Sequence, residues 1–377
     1  MKILIAKAYH RISFDGLLAR GLNDRGHEVH LLYPQEPYGP DTAELRNIGI
    51  PIHINPIIQS RFLRKDTPAN LTKNFHRLRQ LLKNQRYDII NLHLPAARLF
   101  GRWAALVLGH QRVVSVIHGY ECHHERWTNW IDQRTVCVSA AVRSFLMEQG
   151  VLPHKLHVIP NGLDLAAIDN QPIDHFYLHR ELKLDQKVPL IGMIAYFYKP
   201  TGRLNKGHRF FIDAARLLAP LFPRVHFIIV GSDCLSSGEE EYCRRYARHC
   251  GLGNRISFLG ERQDIIPIMD SLTVHVVPSL SEGFGLVIAE AMARGIVNVA
   301  SDLASLREII HPDKTGILFE PGNAEHLAKS ITGVLADPQR AGQIGHAGRK
   351  RIESSFTIER MAAGYEKLFE QILHRAT

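Results

Sequence analysis

A chain of 377 residues, 45% hydrophobic and 22% charged, can bury a sizeable core and is longer than one typical domain requires. Its apolar runs are far shorter than the roughly 20 residues of a membrane-spanning helix, and its amino-terminal run is too short for a signal peptide. Five cysteines without CxxC spacing argue against a disulfide framework and a zinc ribbon, so we expect a two-domain cytoplasmic protein.

In chain order, short apolar runs alternate with amphipathic helical runs. The first half predicts a helix over Phe14–Arg25 and strands at KILIA, GHEVHLLYP, YDIINLH and RVVSVIHG. The second half predicts helices over Gly207–Leu218 and Glu239–His249 and strands at PLIGMIAYF, RVHFIIVG, RISFLG and LTVHVVPS. This alternation is typical of parallel sheets, so the sequence predicts an α/β protein with two Rossmann-like halves that meet near Pro160–Asp174.

The positive charge lies in the first half. Residues 1–160 contain 21 Lys and Arg against 12 Asp and Glu, whereas the remainder contains 25 of each kind. Within Lys73–Arg86, apolar residues recur at helical spacing with basic residues between them, which predicts an amphipathic basic helix. The basic face of such a helix has two interpretations. It is merely solvated, or it attracts an anionic partner, either lipid headgroups or a phosphate-bearing acceptor. Nucleic acid is disfavoured because no aromatic stacking platform or DNA-binding motif accompanies the charge.

The stretch SEGFGLVIAE, Ser281–Glu290, places two carboxylates around the start of an apolar helix. Gly283 and Gly285 allow the backbone to approach a ligand, and the first helical amides form a phosphate site. Glu290, about a turn and a half into the helix, is suited to accept two hydrogen bonds from a ribose diol. The alternative is a surface glutamate followed by a glutamate that the helix dipole favours.

Five segments together resemble the retaining GT-B glycosyltransferases of family 4. They are PNGLD, NKGHRFFIDAA, RISFLGERQD, VPSLSEGFGLVIAEAMARG and TGILFEPGNAEHLAKSI. The resemblance implies two Rossmann-like domains facing across a cleft, with an acceptor domain over 1–160 and a nucleotide-sugar domain over 161–354. It also implies that a carboxy-terminal helix within 355–377 packs back onto the first domain.

The resemblance assigns roles to individual residues. It implies that Glu282 lies by the donor sugar, that Glu290 holds the ribose, and that Lys206 neutralises the donor diphosphate. The backbone at Gly283, Phe284, Gly285 and Leu286 completes the donor site. His118, in VIHGYE, matches the family's cleft histidine, which contacts the donor sugar, although a lone histidine in a chain with 22 of them is ordinarily unremarkable.

The chain also departs from the family pattern. Tyr196 stands where family members commonly carry an arginine, and Arg203, or else Lys199, is expected to replace that charge. The first loop has only Gly16 in place of a double glycine. We expect the acceptor side to include Ser13 and Gly16 of that loop, together with Glu121.

A second glycine pair of the family is also replaced in this chain. Ala304 and Ser305 occupy its positions, whereas Glu308 retains the family's acidic position.

These features predict a metal-independent, retaining hexosyltransferase that moves a sugar from a nucleotide diphosphate sugar to a lipid-linked or cell-envelope glycan. We expect no cofactor: the chain contains no Asp-x-Asp motif, and HGYECHH lacks a second cluster of metal ligands. The basic half predicts a peripheral position on the inner face of an anionic cell membrane. Two alternatives remain open, a nucleotide-sugar epimerase on the same fold and a non-catalytic glycosyltransferase-like partner subunit.

Overall fold

A computed structural model describes residues 1–8, 14–38, 41–58, 67–109, 112–120, 130–198, 206–233 and 236–374. The chain forms two units, Met1–Leu163 with Thr357–Thr377, and Asp164–Phe356. The division therefore lies after residues 163 and 356, where the sequence analysis places it after residues 160 and 354.

The first unit is built on a seven-stranded sheet. Its strands are β1 (Lys2–Lys7), β2 (Glu28–Tyr33), β3 (Ile52–Ile54), β4 (Ile89–His93), β5 (Val113–Ile117), β6 (Arg134–Cys137) and β7 (Leu156–Val158). They are parallel and lie in the order β3-β2-β1-β4-β5-β6-β7. Strands β4, β5 and β6 are buried along their whole length, as expected where helices cover both faces of a parallel sheet.

Helices connect these strands. They are α1 (Phe14–Asn23), α2 (Asp41–Asn47), α3 (Pro68–Gln85), α4 (Pro95–Val107) and α5 (Ala140–Glu148), with short 3-10 helices at Pro56–Ile58 and Pro153–Lys155. Helix α3 begins at a Thr67 cap that accepts a hydrogen bond from the Asn70 amide. Leu78 and Leu82 of α3 are buried in the core and its basic side chains are exposed, which confirms the predicted amphipathic basic helix.

The second unit is built on a six-stranded parallel sheet in the order β10-β9-β8-β11-β12-β13. Its strands are β8 (Leu190–Ile194), β9 (His226–Val230), β10 (Ile256–Phe258), β11 (Val274–Val277), β12 (Asn298–Ser301) and β13 (Ile317–Phe319). Both sheets are thus parallel and alternate with helices, which confirms the predicted pair of Rossmann-like domains.

The helices of the second unit follow in chain order. They are α6 (Leu165–Asp169), α7 (Tyr177–Glu181), α8 (His208–Leu221), α9 (Glu239–His249), α10 (Ile265–Asp270), α11 (Leu286–Ala293), α12 (Ala304–Arg307), α13 (Ala324–Ala336) and α14 (Pro338–Ser355). Helix α9 has the bounds that the sequence predicts, whereas α8 extends three residues beyond the predicted Leu218.

The carboxy-terminal helix α15 (Ile358–His374) belongs to the first unit. It begins where the Ile358 amide donates to the Leu163 carbonyl, and it packs against α1. A Cβ atom on Gly21 of α1 would lie 2.9 Å from the Cβ of Ala362, so glycine allows this close packing. No helix in the described ranges is both long enough and apolar enough to cross a membrane.

Three buried histidines of the second unit, His208, His226 and His275, make its stability depend on pH. Burial lowers the pKa of each to about 4, so these side chains stay neutral in the folded state well below pH 6.5. The unfolded chain protonates them near its ordinary histidine pKa of about 6.5. We therefore expect stability to fall as the pH falls from about 6.5 to about 4, because the unfolded state binds more protons.

A single substitution tests this dependence. His275, which shares a hydrogen bond with Asn298, contributes at most one proton to the difference between the states. His275→Gln should reduce the slope of unfolding free energy against pH by up to about 1.4 kcal/mol per pH unit. Urea unfolding of the full-length protein, followed by circular dichroism between about pH 7 and about pH 5, measures the slope. An unchanged slope would contradict the assignment.

Candidate active site

The loop between β11 and α11 contains most of the predicted donor site. Gly285 has a φ of +94° and is the N-cap residue of α11, so the cap position itself carries no side chain that could bond the first helical amides. This backbone conformation favours glycine, and a Cβ atom at the position would also lie 2.8 Å from Leu306 Cδ2 and require that side chain to shift. The amides of the first helical turn are therefore presented to an anion beyond the end of β11.

Glu282 lies in this loop at the centre of a hydrogen-bonded cluster. Its Oε1 accepts a hydrogen bond from Lys206 Nζ at 2.7 Å and another from Ser279 Oγ at 2.7 Å. The Ser305 hydroxyl donates to its backbone carbonyl. The side chain of Glu282 is 12% exposed and that of Lys206 is 26% exposed, so this ion pair is shielded from water yet still accessible. The carboxylate is held in one orientation.

Lys206 reaches Glu282 because the start of α8 packs tightly on the neighbouring loop. Gly207 has a φ of +82°, and a Cβ atom there would lie only 2.0 Å from the Pro278 carbonyl oxygen. The next residue, His208, is buried with its ring stacked on that of Phe197 at a centroid distance of 4.0 Å. The glycine and the stacked ring together fix the backbone just before α8, from which the Lys206 side chain extends.

The remaining predicted donor residues follow Glu282 along the chain. Gly283 and Leu286 are partly exposed, and Phe284 is buried with its ring 5.7 Å from that of Phe356. Glu290 lies in the second turn of α11 and is partly exposed. Loop and helix therefore carry two partly exposed carboxylates on one short segment, and their roles at a donor stay a prediction.

Some predicted residues lie outside the described part of the chain. They are Ser13, Glu121, Lys199 and Arg203, together with Cys122, His123 and His124 of the considered metal cluster. Gly16 is described, and it is buried in the first turn of α1.

Tyr196, which replaces the family's arginine, follows β8. Its hydroxyl donates to Glu261 Oε1 at 3.5 Å, and Ser232 Oγ donates to Glu261 Oε2 at 3.2 Å. This position therefore lies beside a carboxylate, in contrast to the cation that the family pattern would supply.

His118 belongs to the first unit, where it directly follows β5. Its Nε2 lies 3.0 Å from Nδ1 of His93, the last residue of β4, and its ring centroid lies 3.9 Å from that of Phe14. Burial, and after it the field of His93, lowers the pKa of His118 well below its ordinary value. His118 is therefore a neutral imidazole near pH 7.

A buried ion pair lies beside these histidines. Lys7, the last residue of β1, donates to Asp15 Oδ1 at 2.6 Å, and Tyr33 donates to the other carboxylate oxygen. Burial alone would raise the pKa of Asp15, but Lys7 and Tyr33 outweigh it and lower that pKa. Lys7 Nζ also lies 4.8 Å from the ring centroid of Phe14, which connects the pair to His118.

Several residues of these clusters were not assigned to the site from the sequence, among them Ser279, Ser305 and His93. Ser279 and Ser305 act through hydrogen bonds to Glu282. No sequence pattern around a serine near a strand end predicts such a bond. His93 could have been found, because it ends an apolar strand and neighbouring parallel strands end at the same edge of a sheet.

Comparisons with known proteins place the chain in a family. A family model described as "Glycosyl transferases group 1" matches residues 180–351, and one described as "Glycosyltransferase Family 4" matches residues 17–167. A lipopolysaccharide core biosynthesis mannosyltransferase of Rhizobium leguminosarum is 37% identical over 259 residues, which cover 66% of this chain and 68% of that protein. The chain belongs to family 4 of the glycosyltransferases.

A second relative and two solved structures extend the family assignment. A phosphatidyl-myo-inositol mannosyltransferase of Mycolicibacterium smegmatis is 28% identical over 88% of this chain and 83% of its own length. Anabaena HepE with UDP-glucose is 21% identical, with a TM-score of 0.81 over 100% of both chains. A Rickettsia africae glycosyltransferase is 21% identical, with a TM-score of 0.79 over 99% of this chain and 98% of its own. These structures confirm the GT-B fold class.

Two glycine substitutions test how Lys206 is positioned. Gly207 and Gly238 both have a φ near +80° and both precede a helix, but among the described residues, apart from its chain neighbours, Gly238 has no atom within 4 Å of a Cβ built on it. Gly238→Ala should lower the free energy of unfolding by about 1–2 kcal/mol, because a residue with a Cβ atom is disfavoured in the left-handed conformation. Gly207→Ala should lower the free energy of unfolding by more, because the Pro278 carbonyl must also move. The same substitution should lower transfer activity. Thermal unfolding and transfer assays of both variants measure these effects, and equal losses would contradict the role of close packing.

Proposed function

We propose that the protein transfers a sugar from a nucleotide diphosphate sugar to a hydroxyl group of a lipid-linked or cell-envelope glycan, with retention of anomeric configuration. The observation that supports this most directly is the 2.7 Å contact between Lys206 and Glu282 in the loops that precede α8 and α11, the latter with glycine at its N-cap. That arrangement combines a mobile cation, a fixed carboxylate and a row of backbone donors, which suits a sugar attached to a diphosphate.

In this proposal, the diphosphate is held by Lys206 and by the α11 amides after Gly285. Arg203 adds a second cation, as guanidinium groups bind phosphate oxygens in pairs. Lys206 donates one hydrogen bond to Glu282, and the other two protons of its ammonium group are suited to phosphate oxygens. Glu282 then contacts the sugar, and Glu290 accepts hydrogen bonds from the ribose hydroxyls.

Catalysis in this proposal consists mainly of orientation and charge stabilisation. The acceptor hydroxyl attacks the anomeric carbon on the face that the diphosphate leaves, and the departing phosphate oxygen takes the hydroxyl proton. Lys206 and the α11 amides stabilise the negative charge that grows on this oxygen as the bond to the sugar breaks. The lowered pKa makes His118 a weak base, so its role in this proposal is to orient a sugar hydroxyl by hydrogen bonding and not to take its proton. The reaction so described requires no cofactor.

The acceptor class is supported by the relatives. Their names include a phosphatidyl-myo-inositol mannosyltransferase, two lipopolysaccharide core mannosyltransferases and an E. coli galactosyltransferase that acts on a diphosphoundecaprenol-linked sugar. Acceptors of this kind end in a lipid. An enzyme that uses them benefits from a surface that binds the membrane where the acceptor lies.

Helices α3 and α4 provide a surface of that kind. Every basic side chain of α3, namely Lys73, Arg77, Arg79 and Lys83, is exposed, and α3 contains no acidic residue. On α4, which packs against α3, the side chains of Trp103, Leu106 and Val107 are exposed at helical spacing. Basic side chains beside exposed aromatic and aliphatic groups are typical of helices that lie on anionic membranes. We propose that this surface docks the enzyme on the inner face of the membrane.

The donor site can be tested by separating binding from turnover. Thermal shifts with UDP, GDP, ADP and CMP sugars identify a donor that stabilises the protein. Glu290→Gln should then weaken donor binding by about 1.5–3 kcal/mol, because a hydrogen bond to a charged group is lost. Lys206→Ala should mainly lower kcat, by about a hundredfold or more, because its charge stabilises the leaving phosphate.

Glu325→Gln, an exposed position in the first turn of α13, is the matched control and should change neither quantity. Unchanged donor affinity in Glu290→Gln would remove the ribose assignment. Conversion of the donor without an acceptor would replace the transferase proposal with an epimerase.

The membrane surface can be tested by vesicle sedimentation. The protein should sediment with phosphatidylglycerol-containing vesicles and dissociate as salt rises, since exposed charges are screened beyond about 8 Å at physiological ionic strength. Combining Arg77→Glu, Arg79→Glu and Lys83→Glu should abolish this binding. All three side chains point away from the core, so donor binding should persist.

The matched control reverses three exposed basic residues of the second unit, Arg245, Lys329 and Lys350, and changes the net charge equally. It should leave vesicle binding intact. Equal binding of the unmodified protein to neutral and anionic vesicles would contradict the electrostatic account.

A further inference from the structure

His93 and His118 form a hydrogen-bonded pair at the end of the first sheet. His93 is opposite Val116 in the register of β4 and β5, and His118 follows two residues later, so both side chains lie on the same face. The two rings are stacked with centroids 5.3 Å apart and an interplanar angle of 21°. His93 Nδ1 lies 3.0 Å from His118 Nε2, within hydrogen-bond distance.

Both rings are neutral, since burial lowers the pKa of His93 to about 3 and that of His118 well below its ordinary value. Two neutral imidazoles share one proton in such a bond, so either ring can be the donor. If His118 donates from Nε2, the proton of His93 lies on its own Nε2. If His93 donates from Nδ1, the proton of His118 lies on Nδ1.

The surroundings of His93 decide between these arrangements. His93 is fully buried, and its Nε2 has no hydrogen-bond partner among the residues that the structure describes. A proton on this atom would create a buried N–H group without an acceptor, which native proteins rarely contain. If His93 carries its proton on Nδ1 instead, no buried N–H group lacks an acceptor, and Nδ1 can donate to His118.

We propose that His93 is a positioning residue that donates from Nδ1 to His118 Nε2 and thereby fixes the His118 proton on Nδ1. His118 then presents an N–H donor to the substrate from its other nitrogen. The Phe14 ring, 3.9 Å away between centroids, keeps the imidazole from rotating. This inference rests on the proposed role of His118 at the donor sugar. It adds His93 as the residue that determines which nitrogen of His118 donates a hydrogen bond and which accepts one.

Two variants at position 93 separate this role from packing. The amide nitrogen of asparagine occupies nearly the place of Nδ1 in histidine, so His93→Asn retains the donor, whereas His93→Leu fills similar space without one. We expect His93→Leu to lower kcat at least tenfold with the KM for donor nearly unchanged. His93→Asn should recover most of that loss. Melting temperatures of the variants show whether the fold is retained.

Nitrogen NMR of histidine-labelled protein gives a readout independent of activity. The His118 signals, identified by their absence in His118→Gln, should show protonation on Nδ1 in the unmodified protein and a mixture of tautomers in His93→Leu. Protonation of His118 on Nε2 in the unmodified protein would overturn the proposal, even if no position 93 variant folds. Equal kcat values for folded His93→Leu and the unmodified enzyme would also overturn it.

The same measurements separate this inference from the proposed function. Full transfer by His118→Gln would remove His118 from the reaction, whatever its tautomer. The NMR spectrum would still decide whether His93 sets the proton position.

Discussion

The contact between Lys206 and Glu282 depends on one steric condition, that the start of α8 lies against the Pro278 carbonyl with no side chain between them. Gly207 meets this condition, since even a methyl group would lie 2.0 Å from that oxygen. The approach brings a lysine from one strand-to-helix connection to a glutamate from another, and Ser279 and Ser305 hold the glutamate in place. The fold itself thus places a lysine beside a partly buried carboxylate, which reduces the reorganisation that the proposed catalysis requires.

In the first unit, too, the fold brings polar side chains from different strand ends into contact. Lys7, His93 and His118 lie at the ends of β1, β4 and β5, which are neighbours in the sheet. Because parallel strands end at one edge, polar groups there come close together, and burial requires each to find a partner. Lys7 pairs with Asp15 and His93 with His118. Such a network is costly if one member is removed, so its positions are fixed more firmly than those of a surface loop.

Two departures from the family pattern have different consequences in the structure. Ser305, in place of a glycine, donates to the Glu282 carbonyl and therefore supports the loop that holds the carboxylate. Tyr196, in place of an arginine, lies beside Glu261 and supplies no positive charge. The hydrogen bond from Ser305 thus compensates, within the described site, for the loss of the family's glycine. In the proposed function, the second departure therefore leaves the charge of the donor diphosphate to Lys206, the α11 amides and Arg203.

The sequence by itself determined the two parallel-sheet domains, the basic helix and the glycine-containing segment from Glu282 to Glu290 that we propose as the donor site. These follow from local patterns, namely the period of apolar residues, the glycines at a helix start and a motif contained in one short stretch. Only the tertiary structure decided that Ser279, Ser305 and Lys206 converge on Glu282, and that His93 contacts His118. Such contacts join residues that are distant in the chain, and they depend on strand order and close backbone packing, which local patterns do not encode.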